Sequence, residues 1–166
     1  MQYKIGDCVV HPTHGVGTIV SLEEQCFFGE KPRLYLEVSM QRGTIWVPVE
    51  TQEGINLRPL TLQKNLAGYR RLLKSHPVPL DENHRKRQIE LSERLKLSSF
   101  ESRCEIVRDL TARGWYKSLN EADSGCLRRA HQDLCQEWAV VAGISLADAH
   151  QEIQALLLEA REAYLS

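Results

Sequence analysis

The chain has 166 residues, 42% of them hydrophobic and 26% charged, with a formal net charge of -1. That balance supports a packed core and excludes wholesale disorder, and the length suits one large domain or two small ones. No apolar run approaches the ~20 residues of a membrane-spanning helix. The opening MQYKIGDCVV lacks the basic start and apolar stretch of a secretory signal, and the five cysteines form no CxxC pair. Reduced thiols in a cytoplasmic protein are therefore expected.

In chain order, residues 1–58 read as β. Tyr3 to Val10 leads into the glycine-containing HPTHGVG, and Val16 to Val20 is a short apolar run. Gly29-Glu30-Lys31-Pro32 marks a turn, after which Leu34, Leu36, Val38 and Met40 alternate with polar or aromatic neighbours, the period of a half-buried strand. A compact turn at Gln41-Arg42-Gly43 precedes a second alternation, Ile45, Val47 and Val49, ending at Glu50, which predicts a hairpin. Several short strands in under sixty residues imply a small, strongly bent sheet or partial barrel.

From about residue 60 the period becomes helical. Leu62, Leu66, Tyr69 and Leu73 line a first helix, stopped by Pro77 and Pro79. Asp81 is the expected cap of a second helix with the stripe Ile89, Leu91 and Leu95. Ser98 with Glu101, Ser118 with Glu121 and Ser145 with Asp148 read as capping signals for three more. Their inner faces are Cys104, Val107 and Leu110; then Cys126, Ala130, Leu134 and Trp138, with a stop at Gly143; then Ala149, Ile153, Leu156 and Ala160. The fold class is α+β: a β module over 1–60 followed by an all-α bundle of about five helices over 61–166.

The near-neutral charge is unevenly placed. Residues 64–96 hold nine basic and four acidic side chains, whereas 97–166 hold seven basic and eleven acidic. His84-Arg85-Lys86-Arg87 stands at a helix start just after the proline-rich link. Three consecutive cations are expected to face solvent, where they are available to phosphates. On the predicted hairpin, Thr44, Trp46 and Pro48 occupy the face opposite Ile45, Val47 and Val49. An exposed tryptophan on an edge strand suits protein binding, and packing beneath another part of the chain is the alternative.

Catalytic chemistry is thin. His11 and His14 near Cys8 match no zinc spacing, and His131 with Cys135 at i and i+4 lacks a third group or an oxyanion site. There is no GxSxG, P-loop or GxGxxG. Neither a metal, a cofactor nor an enzymatic activity is expected.

GDCVVHPTHGVGTIV, LYLEVSMQRGTIWVPVETQEGINLRPL and EIVRDLTARGWYKSLNEADSGCLRRAHQDLCQEWAVVAGISLADAHQEI, taken in that order, resemble the CarD/CdnL family of bacterial RNA-polymerase-binding transcription regulators. The N-terminal module also occurs in the transcription-repair coupling helicase. The resemblance implies a Tudor-like module that docks on the polymerase β subunit through its exposed strand, here Thr44, Ile45, Trp46 and Val47. It also implies a helical domain that contacts promoter DNA through phosphate and minor-groove contacts, here His84, Arg85, Lys86 and Arg87, and thereby modulates open-complex formation. His84 stands where the family usually places a wedge tryptophan, so weaker unstacking of the DNA is implied. The alternative is a polymerase-binding adaptor that contacts another protein and not DNA.

Overall fold

The structure is a computed structural model and describes residues 3–27, 29–49 and 57–166. The chain divides into two compact units, 1–60 and 61–166. Glu50, the expected end of the second alternation, lies outside the described residues, as do residues 51–56.

The first unit is a five-stranded antiparallel sheet: β1 (Cys8–His11), β2 (Gly15–Gln25), β3 (Arg33–Met40), β4 (Gly43–Pro48) and β5 (Arg58–Pro59), in the order β4-β3-β2-β1-β5. The alternation places Leu36 and Val38 of β3 over Val9, Ile19 and Leu57, with Ile45 and Val47 packed against them. Leu36 pairs with Val47 and Val38 with Ile45, and the hairpin closes at Met40 opposite Gly43, at the predicted turn. A register shift between Ile19 and Ser21 bends β2. This is the small bent sheet expected from the spacing.

The two glycines of HGVG serve different purposes. Gly15 has φ 79°, which only glycine adopts without strain. Gly17 is buried in β2 opposite Met40 of β3, and a Cβ there would collide with the Met40 thioether and lie 2.7 Å from Val38 Cγ1 and 3.0 Å from the Ser39 carbonyl oxygen. Gly17→Ala therefore overpacks the sheet. The expected loss is about 1–3 kcal/mol of stability, read as a lower denaturation midpoint by tryptophan fluorescence. A midpoint at or above that of the parent would show that β3 yields freely.

The second unit is helical: a 3₁₀ turn at Gln63–Asn65, then α1 (Leu66–Lys74), α2 (His84–Lys96), α3 (Phe100–Tyr116), α4 (Glu121–Ala142) and α5 (Leu146–Leu165). The predicted stripes of α3, α4 and α5 form its core, with Leu110, Leu134, Trp138 and Ile153 fully buried. No helix among the described residues is long and apolar enough to cross a membrane.

Three caps differ from expectation. Asn83, not Asp81, caps α2 and accepts from the Lys86 N–H, while Asp81 Oδ1 accepts the Asn83 N–H in the preceding turn. Ser99, not Ser98, caps α3, because Ser98 takes the left-handed conformation (φ 50°) that ends α2. Asn120, not Ser118, caps α4, because α3 runs past Gly114 to Tyr116 and uses up the connection. Ser145 caps α5 as predicted.

Candidate interaction surfaces

In the sheet unit the surface is built on β4. Among the described residues this strand pairs only with β3, so its other edge carries unpaired main-chain groups. Proteins blunt such edges with proline, charge or brevity. The opposite edge, β5, is blunted in this way, being two residues long with Pro59 as one of them. Pro48 closes β4 at its last position, and Gly43 to Val47 contains neither proline nor a charged side chain, so the edge is open over those five residues. Ile45 and Val47 direct their side chains into the core, and their main-chain groups face β3, in step with the Val49 N–H that donates to the Leu34 carbonyl, so the outward main-chain groups are those of Thr44 and Trp46. Thr44 is exposed.

Trp46 is half-buried on the face away from the core, opposite Glu37. Its ring lies 6.3 Å from Phe27, which meets Tyr35 edge-on at 5.0 Å. The three rings form a cluster beside the open edge, an arrangement that holds an indole in one place while leaving part of it accessible. Phe27 and Tyr35 escaped the sequence reading. Phe27 falls in a turn outside any periodic run, and only the strand register brings it to Trp46.

In the helical unit, His84, Arg85 and Lys86 form the exposed first turn of α2. Arg87 overturns the expectation of three solvated cations, since it is 4% exposed. Its Nε donates to Asp123 Oδ2 at 2.9 Å, and its Nη1 donates to the carbonyls of Asp81 and Glu82 at 2.9 and 3.2 Å. Asp123, itself 1% exposed, also accepts from Gln88 Nε2 at 2.8 Å and lies 4.0 Å from Arg113 Nε. The physical reason is periodicity: Arg87, Leu91 and Leu95 recur every four residues, so Arg87 takes the inward position in place of Ile89, which is exposed.

A second buried carboxylate, Asp109, accepts from Arg94 Nη1, Arg108 Nε and the Val78 N–H at 2.8–3.0 Å. The two aspartates tie α2 and the segment before it to α3 and α4. Outside this network Arg85 and Lys86 have no carboxylate partner among the described residues. Arg85 also borders a groove of about 610 Å³ with Ile89, Leu95, Cys126 and Arg129. Arg129 thus adds a cation from α4 that the sequence reading did not place beside α2.

The cysteine and histidine pairs do not assemble reactive groups. Cys135 Sγ is 3.7 Å from His131 Nδ1, but burial pushes the thiol up to about 11, and burial followed by the neighbouring His150 lowers His131. At neutral pH this is a thiol beside a neutral imidazole, a poor nucleophile. His11 Nδ1 accepts from the Thr13 and His14 N–H groups and so stabilises the HPTHG turn. No group of three or more His, Cys, Asp or Glu suited to a metal occurs among the described residues.

Comparison with known proteins agrees with this architecture. The CarD-like/TRCF RID domain family matches residues 3–61, and the CarD C-terminal domain family matches residues 70–154. The chain is 28% identical over 150 residues to the Bacillus subtilis (strain 168) protein named "Putative transcription factor YdeB", covering 87% of this chain and 95% of that one. With both of its units matched in order, the chain belongs to the CarD family of transcription regulators.

Proposed function

We propose that this regulator docks on the RNA polymerase β subunit through the open edge of β4 and contacts promoter DNA with the first turn of α2, modulating open-complex formation. The observation that carries the reading is the edge itself. From Gly43 to Val47 the strand has no partner on its outer side among the described residues, and it carries a held tryptophan. Strand addition to such an edge supplies main-chain hydrogen bonds, and Trp46 supplies an anchor that buries a large apolar area. The assignment of Thr44, Ile45, Trp46 and Val47 is accordingly divided: Thr44 and Trp46 offer outward main-chain groups as well as side chains, while Ile45 and Val47 tie the strand to β3 and the core.

For DNA, Arg85 and Lys86 are exposed and have no carboxylate partner among the described residues, whereas Arg87 is committed to Asp123 and serves the fold. A contact made of two cations is weak alone. Tethering through polymerase raises the effective concentration of nearby duplex and makes such a contact sufficient. A near-neutral chain with one local basic block fits a tethered contact better than free DNA binding.

The Arg85→Glu/Lys86→Glu double variant tests both halves. Polymerase retention should equal that of the parent protein, while the change in open-complex lifetime on a responsive promoter is lost. The salt dependence of promoter binding should fall by about two phosphate contacts' worth of slope. An unaltered promoter response with polymerase still bound would support the protein-binding adaptor instead.

A further inference from the structure

Trp46 stands on the outer face of the sheet, in a row that crosses three strands. Ser21 of β2 pairs with Glu37 of β3, and Glu37 pairs with Trp46 of β4. The next row is Glu23, Tyr35 and Pro48. Two carboxylates therefore share a face with the ring cluster of Phe27, Tyr35 and Trp46. Ser21 Oγ donates to Glu37 Oε2 at 2.6 Å, and Gln25 Nε2 donates to Glu23 Oε2 at 3.1 Å. Neither acid has a cationic partner among the described residues, although Arg33 begins β3 on the same face. Glu37 is half-buried, so its charge is only partly hydrated. Phe27 meets the indole tilted at 54°, and no ring among the described residues stacks flat on Trp46.

We infer that Trp46 and Glu37 form a seat for one cationic side chain, an arginine in preference to a lysine, carried by the strand that adds to β4. The inference rests on the polymerase-docking reading above and names the chemistry of the partner. An added strand bonds to the outward main-chain groups of Thr44 and Trp46. Its residue beside Trp46 then emerges on the same outer face, with the two Cβ atoms about 5 Å apart. Glu37 lies one strand beyond Trp46, roughly 10 Å from the added strand. A short side chain ends at the indole, and a long one crosses it to the carboxylate. Indole is the most favourable ring for a cation, and a guanidinium stacks on it while its rim still offers N–H groups to a carboxylate. An apolar residue would fill the ring contact but leave Glu37 further desolvated and unpaired. An acidic one would meet two like charges. The face thus selects for charge as well as for area.

Two binding series on the full chain test this. Glu37→Gln keeps an acceptor for Ser21 and removes the charge. Its affinity for purified RNA polymerase should fall about fivefold at about 50 mM salt, with the gap narrowing towards about 0.5 M. Glu37→Lys should lose more than Glu37→Gln. Parent-like affinity for Glu37→Lys, with dichroism native, overturns the seat while leaving docking at β4 in place.

The second series uses short peptides of alternating threonine and valine with one central guest: arginine, lysine, citrulline or glutamate. Citrulline keeps the length and planarity of arginine without its charge. Binding is read from the shift of the Trp46 indole N–H in ¹H–¹⁵N spectra. Arginine should bind tightest and lysine next, with citrulline weaker than arginine by about threefold or more and glutamate weakest. Glu37→Gln should shrink the gap between arginine and citrulline. Citrulline binding as tightly as arginine overturns the seat. If the parent does not bind polymerase, the docking reading fails and the peptide series decides the seat alone. No guest preference, or no peptide binding, then overturns it.

Discussion

Asp123→Ala should lower the stability of the helical unit by about 3–5 kcal/mol, the largest effect expected of any single substitution here. Asp123 is 1% exposed and Arg87 is 4% exposed, so removing the carboxylate leaves a guanidinium buried without its counter-charge. Gln88 Nε2 loses its acceptor in the same step, and Arg113 loses a nearby opposite charge. The helices lie in 61–166, so the far-ultraviolet dichroism of helix reports this unit directly. At roughly 4 °C or more per kcal/mol for a unit of this size, the midpoint should fall by more than about 10 °C.

Replacing both partners separates the strength of the pair from the cost of breaking it. Arg87→Met with Asp123→Leu puts apolar volume where the ion pair stood, and such replacements are often neutral or stabilising. The double variant should recover most of the loss, a coupling of the sign that contacting residues show in a double-mutant cycle. A loss below about 1 kcal/mol for Asp123→Ala would mean that water reaches Arg87 and that the segment before α2 is held by other bonds. The same result would return Arg87 to the surface as a phosphate contact. If the pair is structural, Arg87→Ala should act through folding and change promoter response and thermal midpoint together.

Arg87 also shows where sequence reading reaches its limit. Periodicity identified all five helices and the core stripes of three of them, because leucine, isoleucine and valine bury for reasons they carry alone. Arg87 lies on the same four-residue spacing as Leu91 and Leu95, but a basic residue is buried only if a carboxylate is waiting. That carboxylate, Asp123, is 36 residues away. The caps show a milder version of the problem: Ser98 and Ser118 carry the right chemistry one or two residues early, and the lengths of the preceding helices decide which residue takes the position. In the sheet, alternation alone placed Ile45 and Val47 inward and Trp46 outward. The ring of Phe27 against Trp46 required the β2–β3–β4 register, which no local pattern states.

Trp46→Ala should weaken binding to RNA polymerase by about 2 kcal/mol or more, roughly thirtyfold in Kd, with the sheet intact. The fold tolerates the change because Trp46 stands on the face opposite Val9, Ile19, Leu36 and Val38, whose burial is unaffected. Phe27→Ala should weaken binding by a smaller factor, since it removes the ring that steadies the indole but not the indole itself. Trp46→Phe should fall between the parent and Trp46→Ala, because the smaller ring fills part of the same contact. Retention of purified polymerase at graded protein concentrations, with dichroism as the fold control, orders the three variants. Strand addition predicts a residual affinity even for Trp46→Ala, since the outward main-chain groups at positions 44 and 46 remain available. Equal affinity for Trp46→Ala and the parent would remove the aromatic anchor, and with it the reason for assigning the interface to β4.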